Sequence, residues 1–103
     1  MEMAKYIMGI LRTQLMVIWS WGFNSPMAIE NGLRFNVQGF KFSGVVEVKY
    51  NEGWDLFDIS FIKADKVIET IEGVYIDSLV NTIDFYVEMT NDYEQRVKDT
   101  YSM

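Results

Sequence analysis

The chain reads as an α+β domain in which a three- or four-stranded antiparallel sheet carries an N-terminal and a C-terminal helix. Three observations predict this. Apolar residues recur at helical spacing over residues 3–13 and again over 74–90; they alternate with polar ones between residues 33 and 61; and glycine and asparagine punctuate the alternating runs. With 103 residues, half of them apolar, there is material for one core and not for two, so a single domain over residues 1–103 is expected.

Met3, Tyr6, Ile7, Ile10 and Leu11 follow i, i+3, i+4, i+7, i+8 spacing, which predicts a helix over residues 3–13 with that stripe inward. Gly9 weakens it slightly. The apolar run Leu15–Trp19 comes next and is far shorter than the roughly 20 residues of a membrane helix, so no span is expected. Arg12 interrupts residues 1–23 and no small-x-small cleavage site follows, so this stretch is expected to belong to the mature fold. Ser20 to Pro26 gathers Gly22, Asn24, Ser25 and the only proline, predicting a loop that extends to about Gly32.

Leu33, Phe35 and Val37 alternate with Arg34, Asn36 and Gln38, the period of a half-buried strand. Val46, Val48 and Tyr50 repeat the pattern against Glu47 and Lys49, with Gly39 and Gly44 bracketing the connection. Asn51, Glu52 and Gly53 predict a turn into a third strand, which makes an antiparallel meander the simplest arrangement. There Phe57, Ile59 and Phe61 alternate with Asp58 and Ser60, but Trp54, Leu56 and Ile62 fall on the polar register. Either a bulge shifts the phase or both sheet faces are partly covered. Lys66–Glu72 is a weaker candidate for a fourth strand.

After Gly73, residues Ile76, Leu79, Val80, Ile83, Tyr86 and Val87 make one apolar helical face. Thr90, Asn91 and Asp92 read as a break and a new cap, leaving residues 91–103 as a tail or a short helix over Tyr93–Tyr101 with Glu94 and Lys98 paired. The expected core is Ile7, Ile10, Leu11, Phe35, Val37, Val46, Val48, Phe57, Ile59, Phe61, Leu79, Val80, Ile83 and Val87.

Histidine and cysteine are both absent. That removes the residue types that most often transfer protons, attack substrates or bind transition metals near neutral pH, and with them any disulfide. A reducing cytoplasm is the expected setting. Gly39 and Gly44 have the spacing of a Walker loop, but Val45 and Val46 stand where Lys and Ser or Thr belong. Paired carboxylates are the enzymatic route left. Asp55 and Asp58, three apart on a strand, point to opposite faces unless a bulge intervenes, and Asp84 and Glu88 are helix neighbours on a solvated face. No calcium-loop pattern is present. No catalytic, cofactor or metal residues are therefore assigned, and a non-enzymatic protein is expected.

Charge is unevenly spread: residues 52–94 carry eleven Asp and Glu against two Lys, while residues 1–51 are net +2. Such an acidic block repels nucleic acid, whose binding rests on Lys and Arg, and attracts a basic protein surface. Asp77, Asn81, Asp84 and Glu88, spaced by 4, 3 and 4, predict a polar stripe about 16 Å long on the last helix. That stripe is either an ordinary solvated face or a line of charge imitating a phosphate backbone. If it is the working surface, reversing Asp84 and Glu88 to Lys is expected to leave folding nearly intact and to abolish binding to a basic partner. Trp19, Trp21 and Phe23 alternate in a loop-like segment; either they belong to the core or, with Trp54 and Leu56 off the core register, they form an apolar patch for a homodimer or partner.

The strand Asp55–Phe61, and above all the segment Gly73-Val74-Tyr75 with Asp77 and Leu79 behind it, resemble a group of small proteins encoded by bacteriophages and mobile elements. The likeness spans residues 4–90 and fails in the tryptophan-rich loop and beyond Thr90. It implies an origin and transfers no catalytic residue. Two functions follow as expectations. One is an inhibitor or adaptor, of the anti-CRISPR or anti-defence type, that occupies a basic groove on a host nucleic-acid-handling protein. The other is a structural or assembly protein that self-associates through exposed aromatics.

Overall fold

The computed structural model describes residues 2–88. They form α1 (Glu2–Arg12), α2 (Leu15–Ser20), β1 (Asn24–Ile29), β2 (Gly32–Gln38), β3 (Ser43–Asn51), β4 (Leu56–Lys63), β5 (Lys66–Val74), a 3-10 turn (Ile76–Ser78) and α3 (Leu79–Val87). The strands make one antiparallel meander in the order β1-β2-β3-β4-β5. The α+β class and both expected helices are present, and the strand count is five instead of three or four. The helix or tail expected beyond Thr90 lies outside the described residues.

The additional strand is β1, in a segment expected to be a loop. It escapes the alternation test because it is an edge strand with nearly every residue exposed, so neither face selects for apolar side chains. Pro26 fits there because the pairing with β2 is irregular between Asn24 and Met27. β5, the weaker candidate, is a full strand that runs on to Val74.

The phase problem at the start of β4 has a simple resolution. Pairing of β3 with β4 is unbroken from Val45↔Ile62 to Asn51↔Leu56, so Phe57, Ile59 and Phe61 point inward while Leu56 and Ile62 lie half-buried on the outer face. Trp54 precedes the strand, in the turn. The bulges belong to β5, whose register against β4 shifts between Phe57 and Ile59 and again between Phe61 and Ile62. Gly73 takes φ +71 at the first of these and donates its N–H to Asp58 Oδ1 at 3.1 Å, a conformation that glycine adopts without steric cost.

One sheet face carries the core. Leu33, Phe35, Val37, Val46, Val48, Phe57, Ile59, Phe61 and Val74 are buried against Ala4, Ile7, Leu11 and Ile18 from α1 and α2 and against Leu79, Val80, Ile83 and Val87 from α3. Of the expected core only Ile10 is outside it, half-buried on the rim. Trp21 and Phe42 are the large additions, and both lie outside any periodic run. The other sheet face is mixed: Arg34, Glu47, Ser60 and Thr70 are successive cross-strand neighbours, beside an apolar row of Val45, Ile62 and Val67. Arg34 Nη1 meets Glu47 Oε2 at 2.9 Å, and the Ser60 and Thr70 hydroxyls lie 3.3 Å apart. Such cross-strand pairs contribute roughly 0.2–1 kcal/mol each.

The last helix begins later than its apolar pattern indicates. Val74 is used by β5, Tyr75 is extended, and Ile76–Ser78 make the 3-10 turn before α3 starts at Leu79. Its far end is clamped by the β2–β3 connection, where Lys41 and Phe42 donate their backbone N–H groups to the Val87 carbonyl at 2.8 and 3.2 Å. A carbonyl that the helix itself leaves without a partner is thereby satisfied.

Candidate functional site

The acidic stripe does not form one face. Asp77 sits in the 3-10 turn, so only Asn81, Asp84 and Glu88 follow the α3 axis. Asp77 and Asn81 are exposed, while Asp84 and Glu88 are half-buried. Asp84 Oδ1 accepts the indole N–H of Trp21 at 2.9 Å, and Glu88 Oε2 accepts the backbone N–H of Phe40 at 3.3 Å. Two members of the stripe thus fasten α3 to neighbouring segments. Asp84 is not a merely solvated charge, and the expectation that reversing it leaves folding intact is corrected on that ground.

The aromatic group also divides. Trp21 is wholly buried, stacked 6.4 Å from Phe35, and Phe23 is half-buried with its ring 4.7 Å from the same phenylalanine. Neither belongs to an exposed patch, which corrects the expectation for Trp21. Trp19, on α2, is 65 % exposed and Trp54, in the β3–β4 turn, is 76 % exposed. The helical geometry explains the split between Trp19 and Trp21: two residues apart at a helix end, side chains project about 200° from one another.

Around Trp54 the structure assembles a cleft that sequence reasoning saw only in part. It has a volume of about 760 Å³ at the end of the sheet where the β3–β4 turn, the start of α1 and the link between β5 and α3 meet. The rings of Tyr6, Tyr50, Trp54, Phe57 and Tyr75 line it with Met3, Leu56, Ile76 and one carboxylate, Asp55. A second cavity of about 300 Å³ shares Trp54 and Leu56 and adds Asn51, Asp58, Glu72 and Gly73. Among the described residues no Lys or Arg lines either cavity, and Lys49 stands opposite Asp58 in the β3–β4 pairing. Lys63 and Lys66, the two lysines of the acidic block, close the β4–β5 hairpin, seven residues along β4 from Leu56, or about 23 Å of strand.

Local geometry fixes this turn. Asp55 takes φ 56, in the left-handed region that Asp tolerates better than most residues, and the Trp54 N–H donates to Asn51 Oδ1 at 3.3 Å. The Tyr50 hydroxyl donates to Asp55 Oδ1. That hydrogen bond, then desolvation and the charges of Asp55 and Glu52, raise the Tyr50 pKa above the ordinary tyrosine value. Tyr6, Tyr75 and Asp55 were missed because they come from three segments far apart in the chain, and no spacing rule joins them. The off-register position of Trp54 and Leu56 was the available signal.

Among the described residues no three carboxylates converge as a cation site, and no helix is long and apolar enough to cross a membrane. The arrangement offers aromatic surface with negative charge beside it. Compared with family models, curated proteins and solved structures, the chain gives no match.

Proposed function

We propose that this chain is a non-enzymatic binding protein of phage or mobile-element origin that works in the bacterial cytoplasm, where it engages a basic surface on a nucleic-acid-handling protein as an inhibitor or adaptor of the anti-defence type. The observation that carries the reading is the pair of adjoining cavities around Trp54, whose lining combines five aromatic rings with Asp55, Asp58 and Glu72 and, among the described residues, holds no Lys or Arg. Aromatic residues in such settings supply binding energy at low entropic cost, and the surrounding carboxylates select a positively charged partner and speed the encounter. The acidic working surface thus moves from the α3 stripe to the end of the sheet. The origin rests on the resemblance carried by Gly73, Val74, Tyr75, Asp77 and Leu79.

Pull-down from bacterial lysate tests this, with wild type beside a Trp54→Ala, Asp55→Asn, Glu72→Gln variant at low and high salt. A basic protein retained by wild type at low salt, lost from the variant, and losing its own DNA or RNA when this chain is added, supports the proposal. Recovery of the same proteins by both forms at both salt levels overturns it.

A second reading is favoured by α2, where Leu15, Met16 and Trp19 are exposed in one short helix. Self-association there would make the chain an assembly protein. Trp19→Ser would then lower the mass measured by light scattering, without touching the cleft.

A further inference from the structure

The lining of the cleft sets aromatic rings and apolar side chains beside a carboxylate, and that composition suits a particular occupant. We infer that it receives a single lysine side chain of the partner, the ammonium group lying against the rings of Tyr6, Trp54 and Tyr75 beside Asp55, and the aliphatic stem along Met3, Leu56 and Ile76. This deepens the proposed function and rests on it for the partner's identity, but the chemistry is local to the cleft.

Three features carry the inference. First, Tyr6, Trp54 and Tyr75 are all large aromatics left mostly exposed at one cleft, when burial in the core would be their ordinary fate. A ring face is electron-rich, and a cation within about 6 Å of its centroid is attracted to it. Second, Asp55 is the only Asp, Glu, Lys or Arg lining the cleft among the described residues, and Glu52 is close enough to bear on Tyr50, so the described lining carries negative charge. A cationic occupant is attracted to that charge and an anionic one is repelled by it. Third, the protein's own chemistry already uses this contact elsewhere: Lys41 Nζ lies 5.2 Å from the Phe85 ring centroid and 5.7 Å from that of Tyr86. In the Trp54 cleft the rings are present and, among the described residues, no Lys or Arg lies in the lining.

A four-carbon stem running over Met3, Leu56 and Ile76 would use the apolar part of the lining.

The test uses small probes and so does not depend on finding the partner. The full chain, labelled with ¹⁵N, is titrated at low salt with acetyl-Ala-Lys-Ala-amide and with the same peptide carrying norleucine, which keeps the stem and removes the charge. The Trp54 indole N–H is identified by its loss in Trp54→Phe. The lysine peptide should shift that resonance and bind at least about fivefold more tightly than the norleucine peptide, and Asp55→Asn, which keeps the left-handed turn accessible, should reduce the lysine preference by about fivefold while leaving norleucine binding unchanged. Equal affinity for the two peptides, or shifts confined to the Trp19 indole, would overturn the inference. Lysine binding in the cleft without capture of any basic protein would sink the proposed function and leave this inference standing; capture of a basic protein that Trp54→Phe and free lysine peptide do not disturb would do the reverse.

Discussion

At the scale of single residues, the most consequential contact is the one between Trp21 and Asp84, sixty-three positions apart in sequence. A wholly buried indole has one N–H to satisfy, and a carboxylate on the last helix satisfies it. Asp84→Lys removes the acceptor and leaves a buried donor, which should cost about 1–3 kcal/mol in urea denaturation; Asp84→Asn keeps an oxygen in place and should cost clearly less. Equal and negligible losses for both variants would show that water satisfies the indole. Tyr50 gives a second residue-scale prediction, now in pH. Its pKa is raised in the fold by the Asp55 hydrogen bond first, so the folded state holds this proton more tightly than the unfolded chain does. The stabilisation is complete below the ordinary tyrosine pKa and is lost as pH rises through the folded value, so the effect belongs to alkaline solution. In an ultraviolet titration Tyr50→Phe should remove a late-ionising phenol, and Asp55→Asn should bring that phenol to lower pH. Tyr86 should also ionise late, because burial and then Glu69 raise its pKa.

Elements were legible in the sequence to the extent that burial imposed a period on them. The α1 stripe, the alternation in β2, β3 and β4 and the apolar face of α3 all record a surface pressed against one core, and Leu79 and Ile83 are fully buried as their spacing requires. β1 left no such record because it is exposed at an edge, and the bulges of β5 blurred its period. The start of α3 was misplaced for a related reason: Ile76 fits the helical face by spacing, yet the chain still has to turn off β5 before a helix can begin. Gly39 is an element-scale feature that composition hides. A Cβ there would stand 2.1 Å from Val87 Cγ1 and 2.6 Å from the Val87 carbonyl oxygen, so only glycine lets the β2–β3 connection reach the end of α3. Gly39→Ala should therefore destabilise the fold by about 1–3 kcal/mol, through displacement of the clamp on Val87. Amide exchange gives a direct check: protection should fall first at Lys41 and Phe42, whose N–H groups make that clamp. Unchanged protection at those two amides would count against it.

For the molecule as a whole, charge is the property that the sequence made plain, and its placement is what needed three dimensions. The block of residues 52–94 was visible by counting, but Asp55, Asp58 and Glu72 become neighbours of Trp54 only when β4, β5 and the turn between β3 and β4 close on one another. This placement gives opposite signs to the two functional readings when salt is varied. Two copies of an acidic chain with a net charge of −6 repel, so self-association through α2 should strengthen, or at least hold, as salt screens that repulsion. Engagement of a basic partner by the cleft should weaken, because screening shortens the range of attraction from about 10 Å at 0.1 M to about 3 Å at 1 M. Most of that loss should fall on the association rate, since steering acts before contact, while dissociation changes little. Sedimentation of the chain alone and stopped-flow binding to a captured partner, each across the same salt series, read the two signs separately. An association rate independent of salt, with a mass that rises with it, would assign the working surface to α2 and leave the Trp54 cleft without a role in recognition.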